Sequence, residues 1–169
     1  MANAKRRLRP LSGLAALAGA LLLGAVILTG CGQASKENHT HYAPNGDLRE
    51  ETASPDELPS FLDKKPAQTR LAYQAAAKLH DTLQWIPCYC GCGETAGHRN
   101  NLNCFIHEMR EDGTVVWDDH GTRCGVCVSI ALQSAAMKSE GKTDLKIRQW
   151  IDSAYQNGYA APTDTPMPQ

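Results

Sequence analysis

The chain changes character several times along its length. An apolar stretch covers residues 11–28, and a polar segment with almost no large apolar side chains follows it. About 100 residues of periodic apolar and polar positions come next, which is enough for one domain with a modest core. The final residues are polar and proline-rich. We therefore expect a signal segment at 1–30, a flexible tether at 31–57, a cysteine-rich domain at 58–159 and a disordered tail at 160–169.

The periodic region predicts helices at both of its ends. Pro66 suits the first position of a helix, and apolar residues then recur at four-residue spacing, which predicts a helix over 66–79. A further helical turn should reach Ile86, before Pro87 interrupts it. Near the C terminus, a helix with an apolar run from Val126 to Met137 should stop near Gly141.

A second C-terminal helix should follow at once. Thr143 can cap it, and Gly158 can end it. The short loop before it implies an antiparallel pair of helices. Its predicted apolar face consists of Ile147, Trp150, Ile151 and Ala154.

The middle of the domain contains a hairpin signal. Two apolar runs, at 104–109 and 114–117, flank the dipeptide Asp112-Gly113. A helix that ends at Gly113 is the alternative. The predicted fold class is thus α-rich α+β: a small single domain with an N-terminal helix, a Cys-rich loop, a short β-hairpin and a C-terminal antiparallel helix pair.

The N-terminal apolar stretch resembles a targeting signal. Four cations precede it, at Lys5, Arg6, Arg7 and Arg9, and Leu28-Thr29-Gly30-Cys31 looks like a lipobox, where cleavage precedes acylation of Cys31. An uncleaved membrane helix is the alternative. A lipidated Cys31 would anchor the protein to the extracytoplasmic face of the cell membrane, because several acyl chains on one cysteine bind firmly.

Charge argues against one class of partner. Removing the four cations of the signal from 17 Lys and Arg leaves 13 against 18 acidic residues, a formal net charge of −5. A nucleic-acid-binding protein needs the opposite balance. We therefore expect no nucleic acid among the partners.

The densest chemistry lies at Pro87-Cys88-Tyr89-Cys90-Gly91-Cys92-Gly93. In an extended strand, alternate residues are roughly 6.6 Å apart, whereas two thiolates on one tetrahedral ion at about 2.3 Å each are only about 3.7 Å apart. The loop must therefore curl, and Gly91 and Gly93 permit this. Cys104 and the pair Cys124 and Cys127, which opens a predicted helix, bring the domain to six cysteines.

These motifs resemble those of the bacterial lipoproteins that are named for their PCYCGC motif. The matching residues are Pro87 to Cys92, Gly97-His98, Asn103-Cys104-Phe105, Asp119-His120 and Cys124 to Cys127, within roughly residues 55 to 157. The resemblance implies an extracytoplasmic lipoprotein and a domain extent. It implies no activity, so the chemistry has to come from the residues.

Three functions fit the cysteines. Metal binding is the first, with candidate ligands Cys88, Cys90, Cys92, Cys104, Cys124, Cys127, His98 and His120. These donors suffice for two mononuclear sites, one multinuclear cluster, or one site plus a disulfide. Such sites select soft ions, so copper(I) is the first choice and zinc the second. The alternatives are a thiol–disulfide redox module that uses Cys124 and Cys127, and a structural domain with up to three disulfides.

The remaining candidates are weaker. His39 and His41 lie in the predicted tether, and His80 and His107 read as surface or packed side chains. No nucleophile or acid–base set stands out, so we expect a binding protein and not an enzyme. The expected partners are the membrane, through Cys31, a metal ion and another extracytoplasmic metalloprotein.

Overall fold

The computed structural model describes residues 39–169. The predicted signal segment, the lipidation site Cys31 and residues 31–38 of the predicted tether lie outside the described residues. The described part folds as a four-stranded antiparallel sheet with five α-helices, which confirms the α+β class. None of its helices has the length and apolar character needed to cross a membrane.

The predicted hairpin is confirmed. Strands β3 (Ile106–Met109) and β4 (Val115–Asp118) pair antiparallel, with Ile106 opposite Trp117. Gly113 occupies the turn at a φ of 87°, a left-handed conformation that glycine adopts at little cost. The alternative of a helix ending at Gly113 is therefore wrong.

A second hairpin replaces much of the predicted tether. Strands β1 (Thr40–Tyr42) and β2 (Leu48–Thr52) pair with each other, and β2 pairs with β4, so the sheet order is β1-β2-β4-β3. The turn passes through Asn45-Gly46, a common hairpin turn sequence. The polar composition led to the wrong prediction of a flexible tether, because polar side chains of β2 are buried and form hydrogen bonds within the domain. Its Glu50 accepts hydrogen bonds from the backbone and hydroxyl of Ser60.

The predicted helices form close to their expected bounds. They are α1 (Ala67–Lys78), directly after Pro66, the single turn α2 (His80–Leu83), α4 (Gly125–Ser139) and α5 (Asp144–Tyr155). A short helix α3 (Cys92–Ala96) lies between them in the chain. The Thr143 side chain caps α5 by accepting from the backbone N–H of Lys146. Helix α4 packs against both α1 and α5.

The predicted apolar face of α5 is only half right. Ile147 and Ile151 are fully buried, but Trp150 is 45% exposed and Ala154 is exposed. Tyr155 and the charged Arg148 take the remaining buried positions. Arg148 is tolerated there because it donates to three carbonyl oxygens and to the carboxylate of Asp152.

The core lies between the sheet and the helices and centres on aromatic rings. Tyr73 of α1 contacts both Phe105 and Trp117 at centroid distances of 5.0 and 6.1 Å. All three side chains are fully buried, and each polar group among them has a partner: Tyr73 donates to the Asp118 carbonyl and Trp117 to the Thr52 hydroxyl. This aromatic group fixes β4, and with it the segment that follows β4.

The C-terminal residues are ordered against the domain, contrary to the predicted disordered tail. We call residues 160–166 the C-terminal strap. Its Ala160 and Thr163 donate backbone hydrogen bonds of 3.1 Å to the carbonyls of Tyr89 and Cys88. Arg148 holds its far end through the carbonyls of residues 165 and 166. The strap therefore lies directly on the Cys-rich loop.

Candidate metal centre

The Cys-rich loop curls as its sequence requires. Gly91 has a φ of 82° and immediately precedes α3, so the chain reverses between Cys90 and Cys92. The Sγ atoms of Cys88 and Cys90 are consequently only 3.2 Å apart, and those of Cys88 and Cys92 only 2.9 Å. One glycine of the motif curls the loop as we predicted.

The second glycine has a different role from the predicted one. Gly93 has no left-handed backbone, but a Cβ built on it would lie 2.8 Å from the Cγ2 of Thr163 in the strap. It is therefore a close-packing position. Thr163 in turn accepts from the backbone N–H of Cys88 through its hydroxyl, which closes the strap over the loop.

The other cysteines arrive from two further segments. Cys104 ends a 3-10 turn at 101–104, directly before β3. Cys124 caps α4, and its Sγ accepts from the backbone N–H of Cys127 in the first helical turn, at 3.4 Å. The helix N terminus thus lies at the sulfurs, where its dipole favours negative charge.

Four sulfurs form an inner set, the tetrad, which consists of Cys88, Cys92, Cys104 and Cys127. Each is at most 2% exposed. The Cys127 sulfur lies 3.0 Å from that of Cys88 and 3.2 Å from that of Cys104, and the Cys92 and Cys104 sulfurs are 3.8 Å apart. All four donor atoms lie within 4.8 Å of one another. Four thiolates on a tetrahedral ion would be about 3.7 Å apart, so the tetrad, with contacts of 2.9 to 3.8 Å between its sulfurs, is close enough together that it could hold an ion.

The remaining two cysteines form an outer set that shares a sulfur with the tetrad. Cys90 and Cys124 are half-buried, and their sulfurs lie 3.5 and 3.2 Å from that of Cys127. These three make a second group of metal-ligating geometry, and Cys90, Cys92 and His120 make a third. Because the groups share Cys92 or Cys127 with the tetrad, they could hold metal only as one connected set of donors and not as independent sites.

Two histidines flank the sulfurs and share one carboxylate. The Nδ1 of His98 lies 3.4 Å from the Cys104 sulfur, while its Nε2 faces Asp47 at 3.9 Å. His120 has its Nδ1 3.2 Å from Asp47 and interacts with the sulfurs of Cys90 and Cys92. A carboxylate behind a ligating imidazole sets its tautomer and orientation.

Asp47 is the residue that the sequence interpretation missed. It is 2% exposed and is also paired with the Arg123 guanidinium, which occupies its Oδ1. A cation beside it suits a carboxylate that orients histidines better than one that binds the ion itself. Its only sequence signal was the turn Asn45-Gly46-Asp47, which would have predicted the first hairpin but not its distance from the cysteines.

Hydrogen bonds between the sulfurs shift the thiol pKa values of the cluster in different directions. Hydrogen bonds with Cys104 and three further sulfurs lower the pKa of the Cys90 thiol, and hydrogen bonds with Cys104 and two further sulfurs lower that of Cys92. Cys127, which is deeper, has its pKa raised by its bonds with Cys104 and other sulfurs and by burial. Hydrogen bonds with the Cys90 and Cys92 sulfurs raise the pKa of His120 to about 11, with Asp47 adding to this against the effect of burial.

The structure thus brings all eight predicted ligands together in groups that overlap or contact one another: Cys88, Cys90, Cys92, Cys104, Cys124, Cys127, His98 and His120. It leaves His107 exposed on β3 and His80 half-buried at the start of α2, away from the sulfurs. The six described cysteines are free, and their closest sulfurs are 2.9 Å apart, well beyond the roughly 2.05 Å of a disulfide bond.

Fold and site together define a small α+β domain around a thiol-rich cluster that could hold a metal ion. The chain belongs to the family described as a protein of unknown function with PCYCGC motif, whose family model matches residues 20–168. No curated protein and no solved structure matches it significantly.

Proposed function

We propose that this protein is a membrane-anchored, extracytoplasmic lipoprotein that binds a soft metal ion through its clustered thiolates. The observation that carries the proposal is the tetrad: four fully buried sulfurs, from three separate segments, at separations that suit one ion. A buried thiol behaves as a small apolar group and has no packing reason to gather with five others. A shared ion supplies that reason.

The excess of sulfur donors favours a soft ion, and copper(I) is our first choice, although the four-sulfur tetrad taken alone is also a ligand set of structural zinc sites. Sulfur outnumbers nitrogen by six donors to two, and thiolate-rich sites select copper(I), zinc or iron–sulfur clusters. A structural zinc site is a closed set of four ligands, whereas here Cys127 belongs to two groups. Copper(I), whose thiolates readily bridge ions, fits that shared sulfur. Zinc remains the second choice, with His98 or His120 completing a mixed site.

Anchoring follows from the N-terminal residues. We propose cleavage before Cys31 and acylation of its thiol, so the domain would be tethered to the membrane from residue 31. The expected partners are the membrane, the metal ion and another extracytoplasmic metalloprotein that supplies or receives the ion, with no nucleic acid.

We propose binding and not catalysis. The acid–base run at 118–120 is engaged in structural contacts: Asp118 pairs with Arg49 and caps the turn at His120, and Asp119 pairs with Arg123 and accepts from the Leu48 backbone. A redox module is the competing function, supported by the 3.2 Å separation of the Cys124 and Cys127 sulfurs at a helix N terminus.

Elemental analysis of the full chain, purified anaerobically and exposed to copper(I) or zinc, tests the proposal. We expect retained metal, with copper(I) held against a competing chelator, and free thiols that react only after the metal is removed. Cys104→Ser should lower the bound metal, because serine is a poor ligand for soft ions, while Cys31→Ser should not change it.

Two results would contradict metal binding. Thiols that appear only after reduction, with no metal at any stage, would indicate a disulfide framework. A reversible two-electron couple that Cys124→Ser alone abolishes, again without metal, would indicate the redox module.

A further inference from the structure

The cysteines of the cluster differ in their access to solvent. The four sulfurs of the tetrad are at most 2% exposed, so no external ligand can reach them in this conformation. Cys90 and Cys124 are half-buried. Among the sulfurs of the cluster, an ion that enters or leaves therefore contacts one of these two first.

Cys127 connects the outer and inner parts of the cluster. Its sulfur lies 3.2 Å from that of Cys124 on one side and 3.0 Å from that of Cys88 on the other. An ion held by Cys124 and Cys127 can thus move to the tetrad by exchanging one sulfur at a time.

A surface groove of about 380 Å³ reaches Cys124. It runs between the start of α1, near Pro66, and the first turns of α4, near Ser129. Arg123 is the only charged side chain among the described residues that line it, so an anionic ligand meets no like charge there.

We propose that Cys124 is the exchange point of the cluster, where the ion is passed to or from a thiolate ligand that approaches through this groove. The proposal rests on the metal binding proposed above. In delivery, a bond forms between the ion and an incoming sulfur as the bond to Cys124 breaks, and a second incoming sulfur then replaces Cys127 in the same way. Each incoming thiol loses its proton as it binds, each cysteine sulfur that the ion leaves takes up one proton, and the oxidation state of the ion is unchanged.

The test measures transfer and not binding. The full chain is loaded anaerobically with copper(I) and mixed with excess reduced glutathione, or with a peptide containing a Cys-x-x-Cys sequence, and the copper left on the protein is followed in time. Cys124→Ser should keep the metal of the tetrad but lose the rapid phase of transfer to both acceptors.

A groove variant separates access from ligation. Ser129→Trp fills the groove without changing a ligand, and Ser139→Trp adds the same side chain to an exposed serine of α4 outside it. We expect the first to slow transfer at unchanged copper content and the second to behave as wild type. Slowing for the peptide alone would assign the groove to a protein ligand, and slowing for both acceptors to thiolates in general.

The inference is overturned if Ser129→Trp and Ser139→Trp transfer copper at the same rate, or if Cys124→Ser retains the rapid phase. Either result would leave metal binding itself standing. Failure of the wild-type chain to retain copper would instead refute the proposed function, before any transfer is measured.

Discussion

At the scale of single residues, one carboxylate organises the nitrogen side of the cluster. Asp47 faces both His98 and His120, each of which also lies close to sulfurs of the cluster, and Arg123 holds the carboxylate in place. Asp47 and the two histidines come from the first hairpin, the loop after α3 and the turn after β4. Their meeting depends on the whole fold.

We expect Asp47→Asn to weaken metal binding while leaving the thiols intact. Loss of a carboxylate that orients ligating histidines typically lowers metal affinity by about 10–100-fold. A competition titration with copper(I) or zinc on the full chain measures this. Asp56→Asn, at an exposed position of the loop after β2, is the matched control and should bind as wild type. Equal affinities for both variants would remove Asp47 from the site.

The packing around Gly121 leaves no room for a larger residue. This glycine is buried, and a Cβ placed on it would lie 2.7 Å from the Phe105 ring and 2.8 Å from the Cys104 carbonyl. We expect Gly121→Ala to destabilise the fold by about 1–3 kcal/mol, as for other overpacked core positions. Chemical denaturation of the metal-free chain measures the change.

The control for this substitution lies close by in the chain. Gly125 is the first residue of α4 and has nothing within 4 Å of a built Cβ. Gly125→Ala should be neutral or slightly stabilising, because alanine also loses less conformational entropy in a helix. Equal destabilisation by both variants would contradict the packing argument.

At the scale of elements, Trp117 and Trp150 differ in how far their side chains are buried. Trp117 on β4 is fully buried against Tyr73, whereas Trp150 on α5 is 45% exposed. The helical period predicted that Trp150 lies on the buried face with Ile147 and Ile151, but in the structure it lies beside that face. Arg148, buried with its carbonyl partners, occupies the adjoining face instead.

We expect Trp117→Ala to cost about 3–5 kcal/mol, the usual range for a buried aromatic residue. That is a large share of the roughly 5–15 kcal/mol available to a domain. Trp150→Ala should change the free energy of unfolding by no more than about 0.5 kcal/mol, as for most surface positions. Thermal and denaturant unfolding of the two variants compares them directly. A larger loss at Trp150 would place α5 differently from the structure.

At the scale of the whole molecule, the cluster joins segments that are distant in the chain. The loop at 88–92, the turn at 101–104 and the start of α4 meet only in the folded state, and the strap covers the first of them. An ion that binds these sulfurs together binds the native state and not the unfolded chain. Metal binding should therefore stabilise the fold.

We expect a soft-metal chelator to lower the melting temperature of the metal-loaded full chain, and a mild reductant alone to leave it unchanged. A free ion concentration of 100 times the Kd would stabilise the folded chain by about 2.7 kcal/mol. A disulfide framework predicts the reverse: the reductant would lower the melting temperature and the chelator would leave it unchanged. Differential scanning calorimetry with each reagent separates the two.

The local signals in the chain were sufficient for the helices, the β3–β4 hairpin and a list of candidate ligands. Periodicity, Pro66, Thr143 and Asp112-Gly113 each act over a few residues, so they can be interpreted without knowledge of the fold. The strap and the β1–β2 hairpin could not be found in this way. Their polar residues are stabilised by partners far away in the chain, as Thr163 is by Cys88 and Glu50 by Ser60.

The sequence by itself determined which atoms could bind a soft ion and that the loop at 88–92 must curl, because residue type and glycine placement are local properties. Only the tertiary structure decided that six sulfurs form one group, that four of them are buried and two remain accessible, and that Asp47 serves both histidines. These are properties of distance and burial. They arise when the aromatic core fixes β4 against α1, and so brings the segments before and after β4 to the same place.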